Sequence, residues 1–181
     1  DLLLLVAGEG PALPALRAEA ARLGLGEAVR FTGYLDRHRD LPDCYAAADV
    51  FVFASRTETQ GLVLLEAMAV GLPVVAFAKM GTIDILAPRQ GCRVPDEDPA
   101  AFADAVVDIL SDAALRARLG SEAWGYARSW SDETMAARLA LVTRRPDGGR
   151  QLGPTPSLVA AGRATVKVAP WPCTLEQSTR P

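Results

Sequence analysis

The chain is poor in the residues that several kinds of chemistry need. It has one histidine, His38, and three cysteines, Cys44, Cys92 and Cys173, far apart and odd in number. No disulfide framework and no metal-ligand spacing follows from that set, and a reducing, cytoplasmic setting fits it. There is no excess of positive charge: 19 Lys and Arg against 22 Asp and Glu give a formal net charge of −3. Nothing in that balance draws the chain to nucleic acid or to an anionic membrane, so any anion must be held by local geometry. Long apolar runs are also missing. Leu2–Ala7, at the start, is too short for a signal segment or a membrane span. With no initiator Met ahead of it, it reads as a buried strand at the cut end of a longer protein.

What is present is an alternation. Half of the 181 residues are apolar, enough for one domain with a sizeable core. Strands are expected at Leu2–Ala7, Ala28–Thr32, Asp49–Ala54 and Pro73–Phe77. Helices are expected between them: one in "ALPALRAEAARLG" stopped at Gly24, a weaker one in "RHRDLPDCYAAA", and one from Gly61 to Val70. A short helix around Ile83–Leu86 follows. After Pro95 the pattern is helical, with Asp98 as N-cap and Pro99 at the first helical position. Ser131, three residues before Thr134, makes an imperfect capping box for the last helix. The fold class is therefore α/β, a doubly wound parallel sheet with C-terminal helices. It is expected over residues 1–144. The Pro- and Gly-rich stretch 145–181 has no period and reads as a disordered tail.

In a parallel sheet, ligands sit beyond the carboxyl ends of the strands. Four loops leave those ends: Gly8-Glu9-Gly10, Gly33-Tyr34, Ser55–Gln60 and Ala78–Thr82. The third runs straight into the Gly61 helix. A helix N-terminus has unpartnered amides and a positive dipole end, so a phosphate fits there, with Gly61 allowing close approach and Leu62 and Val63 donating. Glu66 lies one turn on, in an otherwise apolar helix, and a buried carboxylate needs a partner. Spacing leaves two open: a core-edge Arg or Lys, or the hydroxyls of a ribose. Glu58, in the loop, would meet hydroxyls on the far side of the phosphate.

These residues carry a resemblance. Glu58-x7-Glu66, the Gly61-Leu62 step, "EAMAVGLPVV" and the "GCRVP" turn occur in the order seen in the C-terminal, donor-binding half of family-four retaining glycosyltransferases of the GT-B fold. It covers about Leu2 to Leu141. It implies that Glu58 contacts the donor sugar, Glu66 the ribose, and the Gly61 and Leu62 backbone the diphosphate. Gly33 and Tyr34 would border the base, and Gln60 stands where many members have an aromatic residue. Apart from the resemblance, Lys79 sits on the rim, where it could supply charge to a phosphate or simply be exposed surface. Members also carry an Arg and a Lys on an earlier loop, and a whole acceptor-binding N-terminal domain. The chain is thus expected to be a fragment, inactive alone. The substrate implied is a UDP- or GDP-sugar, with no metal and no separate cofactor. The acceptor is an unknown glycan or lipid, reached at the inner face of a membrane through the N-terminal domain.

Other motifs weigh less. "GEGPAL" has Leu13 where a dinucleotide fingerprint needs its third Gly. Asp96-Glu97-Asp98 imitates a metal motif, but Asp98 before Pro99 is better explained as a cap. His38 sits in a charged, solvated run. Arg56 could serve a phosphate or pair with Glu58. Trp124, Tyr126 and Trp130 suit core packing or domain docking. The rival to an enzyme is a non-catalytic module that binds a nucleotide or a partner.

Overall fold

The computed structural model describes residues 2–136. The stretch 145–181 and the end of the last expected helix lie outside the described residues. The chain divides into two compact units, whose described parts are residues 2–36 and 37–136.

The first unit holds β1 (Leu4–Ala7), α1 (Leu13–Arg22), a 3-10 turn (Gly26–Ala28) and β2 (Val29–Gly33). β1 and β2 pair in parallel, Leu4 opposite Val29. The expectation of a buried first strand fails. Leu4 and Leu5 are 40% and 38% exposed, and Leu2 and Leu3 more so. A two-stranded ladder has two faces, and one short helix cannot cover both.

The second unit holds α2 (Asp40–Ala46), β3 (Phe51–Phe53), α3 (Leu62–Ala69), β4 (Val74–Ala76), α4 (Thr82–Leu86), β5 (Cys92–Arg93), α5 (Pro99–Ser111) and α6 (Ala113–Arg128), and is helical again over 132–136. Its sheet is parallel throughout, in the order β3-β4-β5. β5 was not expected. It is two residues long, in the stretch read as a turn.

β4 shows why the sequence folds this way. Its side chains alternate, and both faces are apolar. Val74 and Ala76 pack with Leu64, Ala67 and Met68 of α3, Leu86 of α4 and Ala123 of α6. Val75 packs on the other face with Ile109 of α5 and Leu119 of α6. All of these are at most 1% exposed, and burying each large aliphatic side chain contributes roughly 1.5–3 kcal/mol. A central strand buried on both faces is the mark of a doubly wound parallel sheet. The caps read from sequence are in place: the Asp98 carboxylate accepts from the Ala101 amide at 2.8 Å, and Ser131 Oγ from the Thr134 amide at 3.3 Å.

Candidate functional site

The loops after β3, β4 and β5 leave the same end of one sheet, and all three are tied together there. Gly61 caps α3 with a left-handed backbone, φ 70°. A Cβ at this position would lie 2.8 Å from Ile85 Cδ1. Glycine is therefore required by the turn and by Ile85; the space that the sequence reading kept for an anion is filled by that side chain. The anion-binding potential lies one step further on. Among the described residues the Leu62 and Val63 amides donate to no partner, as the first turn of a helix dictates.

Glu58 is half-buried and folds back on the loop. Its Oε1 accepts from the amides of Gln60 at 2.9 Å and Gly61 at 3.0 Å. A carboxylate at a helix N-terminus is stabilised by the dipole, so Glu58 orders the loop and takes the Gly61 amide for itself. Oε2 has no hydrogen-bond partner among the described residues. The Gln60 side chain is exposed.

Glu66 has found a cation. Arg37, in the turn before α2, donates to Glu66 Oε1. Both side chains keep about a third of their surface in solvent, 32% and 30%. Tyr45 of α2 lies beside the same carboxylate. Burial first, then the Glu66 charge, raise its phenol pKa well above the ordinary range. The core-edge cation that spacing left open is Arg37.

The loop after β4 is pinned to the loop after β3. The Gly81 amide donates to the Glu58 carbonyl at 2.9 Å. A Cβ on Gly81 would lie 2.1 Å from the Thr59 carbonyl oxygen, so the two backbones are stacked. Thr82, fully buried, holds the turn from beneath: its Oγ1 accepts from the Lys79 amide at 2.8 Å and lies 2.9 Å from the Phe77 carbonyl. Met80, between these anchors, has a left-handed backbone with φ 49° and is 56% exposed.

Lys79 and Arg56 both turn to Glu97, in the loop after β5. Arg56 Nε is 3.1 Å from Glu97 Oε2, and Lys79 Nζ pairs with Oε1. Arg56 thus pairs with Glu97 and not with Glu58. The hydrogen bond from Lys79, helped by the charges of Lys79 and Arg56, holds the Glu97 carboxyl below the usual carboxylate range. With Glu97 so engaged and Asp98 capping α5, no group of three metal-ligating side chains forms among the described residues.

In the first unit the Gly8 amide donates to the Gly33 carbonyl at 2.8 Å, and the Tyr34 amide lies 3.4 Å from Glu9 Oε1. The Tyr34 side chain is 67% exposed. Here too the loops after the two strands share one end of their sheet. No helix among the described residues is long and apolar enough to cross a membrane.

Residues 1–112, well over half of the chain, match the sequence profile of the family described as glycosyl transferases group 1. The chain belongs to that family. Its fold is the Rossmann-like α/β half of a GT-B glycosyltransferase. This group 1 chain is 39% identical over 137 residues to a D-inositol 3-phosphate glycosyltransferase of Streptomyces avermitilis, which covers 75% of the chain and 29% of the relative. It is 37% identical over 149 residues to a GDP-mannose-dependent alpha-(1-6)-phosphatidylinositol monomannoside mannosyltransferase of Mycolicibacterium smegmatis, covering 77% and 39%. Among solved structures it resembles Anabaena HepE in complex with UDP-glucose, at TM-score 0.62 and 26% identity, covering 77% of this chain and 41% of that one. The group 1 chain thus spans about a third of the length of the curated relatives it matches.

Two residues of the candidate site escaped the sequence reading. Arg37 is 29 positions from Glu66, and no local pattern links them. Glu97 was read only as part of an acidic triplet that imitates a metal motif. The signal that could have found it was its place after a strand, but that strand is too short to show a period.

Proposed function

We propose that this chain is the donor-binding part of a retaining glycosyltransferase, which takes a sugar from a nucleoside diphosphate sugar to an acceptor. The observation that carries the reading is the junction between β3 and α3. Two unpartnered amides, Leu62 and Val63, stand at a positive helix end, with the Glu58 and Glu66 carboxylates to either side. Amides and dipole suit a diphosphate. Glu58 Oε2 is an unused acceptor for a hydroxyl of the donor sugar. Glu66 accepts hydroxyls of the ribose once Arg37 shares it.

In this role the protein contributes position and charge. Held by two loop amides, Glu58 is fixed before the donor arrives, so its orientation costs nothing at the moment of reaction. It is an orienting group for the sugar and not a nucleophile, which agrees with a front-face route in which the leaving phosphate accepts the acceptor's proton. The α3 amides offset the charge that grows on that phosphate. The two donor classes named among the similar proteins, UDP-glucose and GDP-mannose, are the ones we propose for this site. No metal is needed on this account, and the relatives' greater length holds the rest of the transfer machinery.

Isothermal titration of the 181-residue chain with UDP, GDP, UDP-glucose and GDP-mannose tests the reading. Weak binding to one series, insensitive to EDTA and without sugar transfer, is expected. Turnover by the chain alone would overturn its assignment as a partial enzyme. A second reading, a module without chemistry, draws on one observation: Glu58 and Glu66 already have internal partners. No binding in any of the four titrations would favour it.

A further inference from the structure

Glu97 is unlike the other acidic residues of the rim because it answers two cations from two different loops. Arg56 comes from the loop after β3, two residues before Glu58. Lys79 comes from the loop after β4, two residues before Gly81, whose amide is bonded to the Glu58 carbonyl. The two basic groups therefore belong to the loop that carries Glu58 and to the loop bonded to it. Left bare, a guanidinium and an ammonium in this place would attract a negatively charged sugar. They are not bare: one carboxylate oxygen of Glu97 meets each of them.

We infer that Glu97 is a specificity-determining residue, a built-in carboxylate that fills the anion position beside the donor sugar and so selects neutral hexose donors over glycuronic acid donors. The inference rests on the donor-site reading given above and adds the class of sugar. Its physical basis is simple. A uronic acid carboxylate entering this corner would meet Glu97 as a like charge, and Arg56 and Lys79 as cations already engaged. A neutral hydroxymethyl group meets neither penalty. Glu97 is a carboxylate, ionised at neutral pH, and the Lys79 hydrogen bond lowers its pKa further. The same geometry engages two members of the acidic triplet: the middle one serves the rim, and the last one caps α5.

The test compares donors on the full 181-residue chain and on its Glu97→Gln and Glu97→Asp variants. UDP, UDP-glucose and UDP-glucuronic acid are titrated calorimetrically, with GDP, GDP-mannose and GDP-mannuronic acid in parallel. Wild type is expected to favour the neutral sugar. Glu97→Gln should move the neutral-to-acidic affinity ratio toward the acidic donor by about tenfold, the effect of one close charge contact at a protein surface. Affinity for the bare nucleotide should change much less than that ratio. Glu97→Asp, which keeps the charge, should retain the wild-type preference. Binding with an unchanged ratio in Glu97→Gln overturns this assignment and leaves the donor-site reading standing. Failure of both wild type and variant to bind any nucleotide overturns both. Equal melting temperatures of the three proteins establish that the comparison is between folded chains.

Discussion

Arg37 and Glu66 are joined as an ion pair that ties the turn before α2 to helix α3, at the edge of the proposed ribose position. The pair is about one-third exposed, so its own contribution to stability is small, roughly 0–1 kcal/mol. That separates its two roles experimentally. Glu66→Ala is expected to leave the urea midpoint nearly unchanged and to weaken UDP or GDP binding by about tenfold or more, the loss of hydrogen bonds to a charged acceptor. Unchanged nucleotide affinity would reduce Glu66 to a partner of Arg37.

Gly61→Ala should be costly. The alanine must adopt a left-handed backbone while its Cβ meets Ile85 Cδ1 at 2.8 Å. About 1–3 kcal/mol of destabilisation is expected, read as a lower urea midpoint at constant slope. Gly81→Ala should cost more, because the obstacle is backbone: the Thr59 carbonyl oxygen at 2.1 Å cannot rotate away as a side chain can. Wild-type stability in Gly81→Ala would show that the two loops are not stacked.

Asp98→Ala removes the α5 cap and should cost about 1 kcal/mol. It should leave nucleotide affinity untouched, with or without added manganese. A manganese-dependent change in affinity would revive the metal reading of the acidic triplet.

These residues also show what a sequence can disclose. Asp98 before Pro99 was legible because capping is local chemistry. The strands and helices around β4 were legible because burial on both faces writes a continuous apolar run. The Glu58 and Glu66 spacing drew attention to the corner where the loops after β3 and β4 are bonded together. Partners were not legible. Arg56 lies two residues from Glu58 and yet pairs with Glu97, because the Glu58 carboxylate folds back on the Gln60 and Gly61 amides. Arg37 reaches Glu66 only through the fold. β5 was missed because two residues cannot show an alternation. The leucines of β1 marked a segment that favours burial, but a run of leucines carries no information about what is present to cover it.

Alkaline pH should weaken the fold in a defined window. Burial, the largest cause, pushes the Cys92 thiol from its ordinary 9.0 up to about 11. In the unfolded chain the thiol ionises first, so the unfolded state binds fewer protons between these values and stability falls as pH rises. The contribution of Cys92 is complete below pH 9.0 and is lost as pH rises through about 11. Tyr45, shifted in the same direction by burial, adds to the slope. Urea midpoints measured from pH 7 to 11 should decline beyond about 9, and Cys92→Ser should flatten the decline. A midpoint that stays level to pH 11 in wild type would contradict the burial of both groups.

The seating of the Thr59–Gln60 peptide on Gly81 has an evolutionary meaning. With no gap between them, the segments 55–61 and 78–82 form one heritable part. A chimera that takes one segment from one relative and the other from a second would bring together surfaces shaped for different mates. Donor preference should therefore travel between family members only when both segments move as a set.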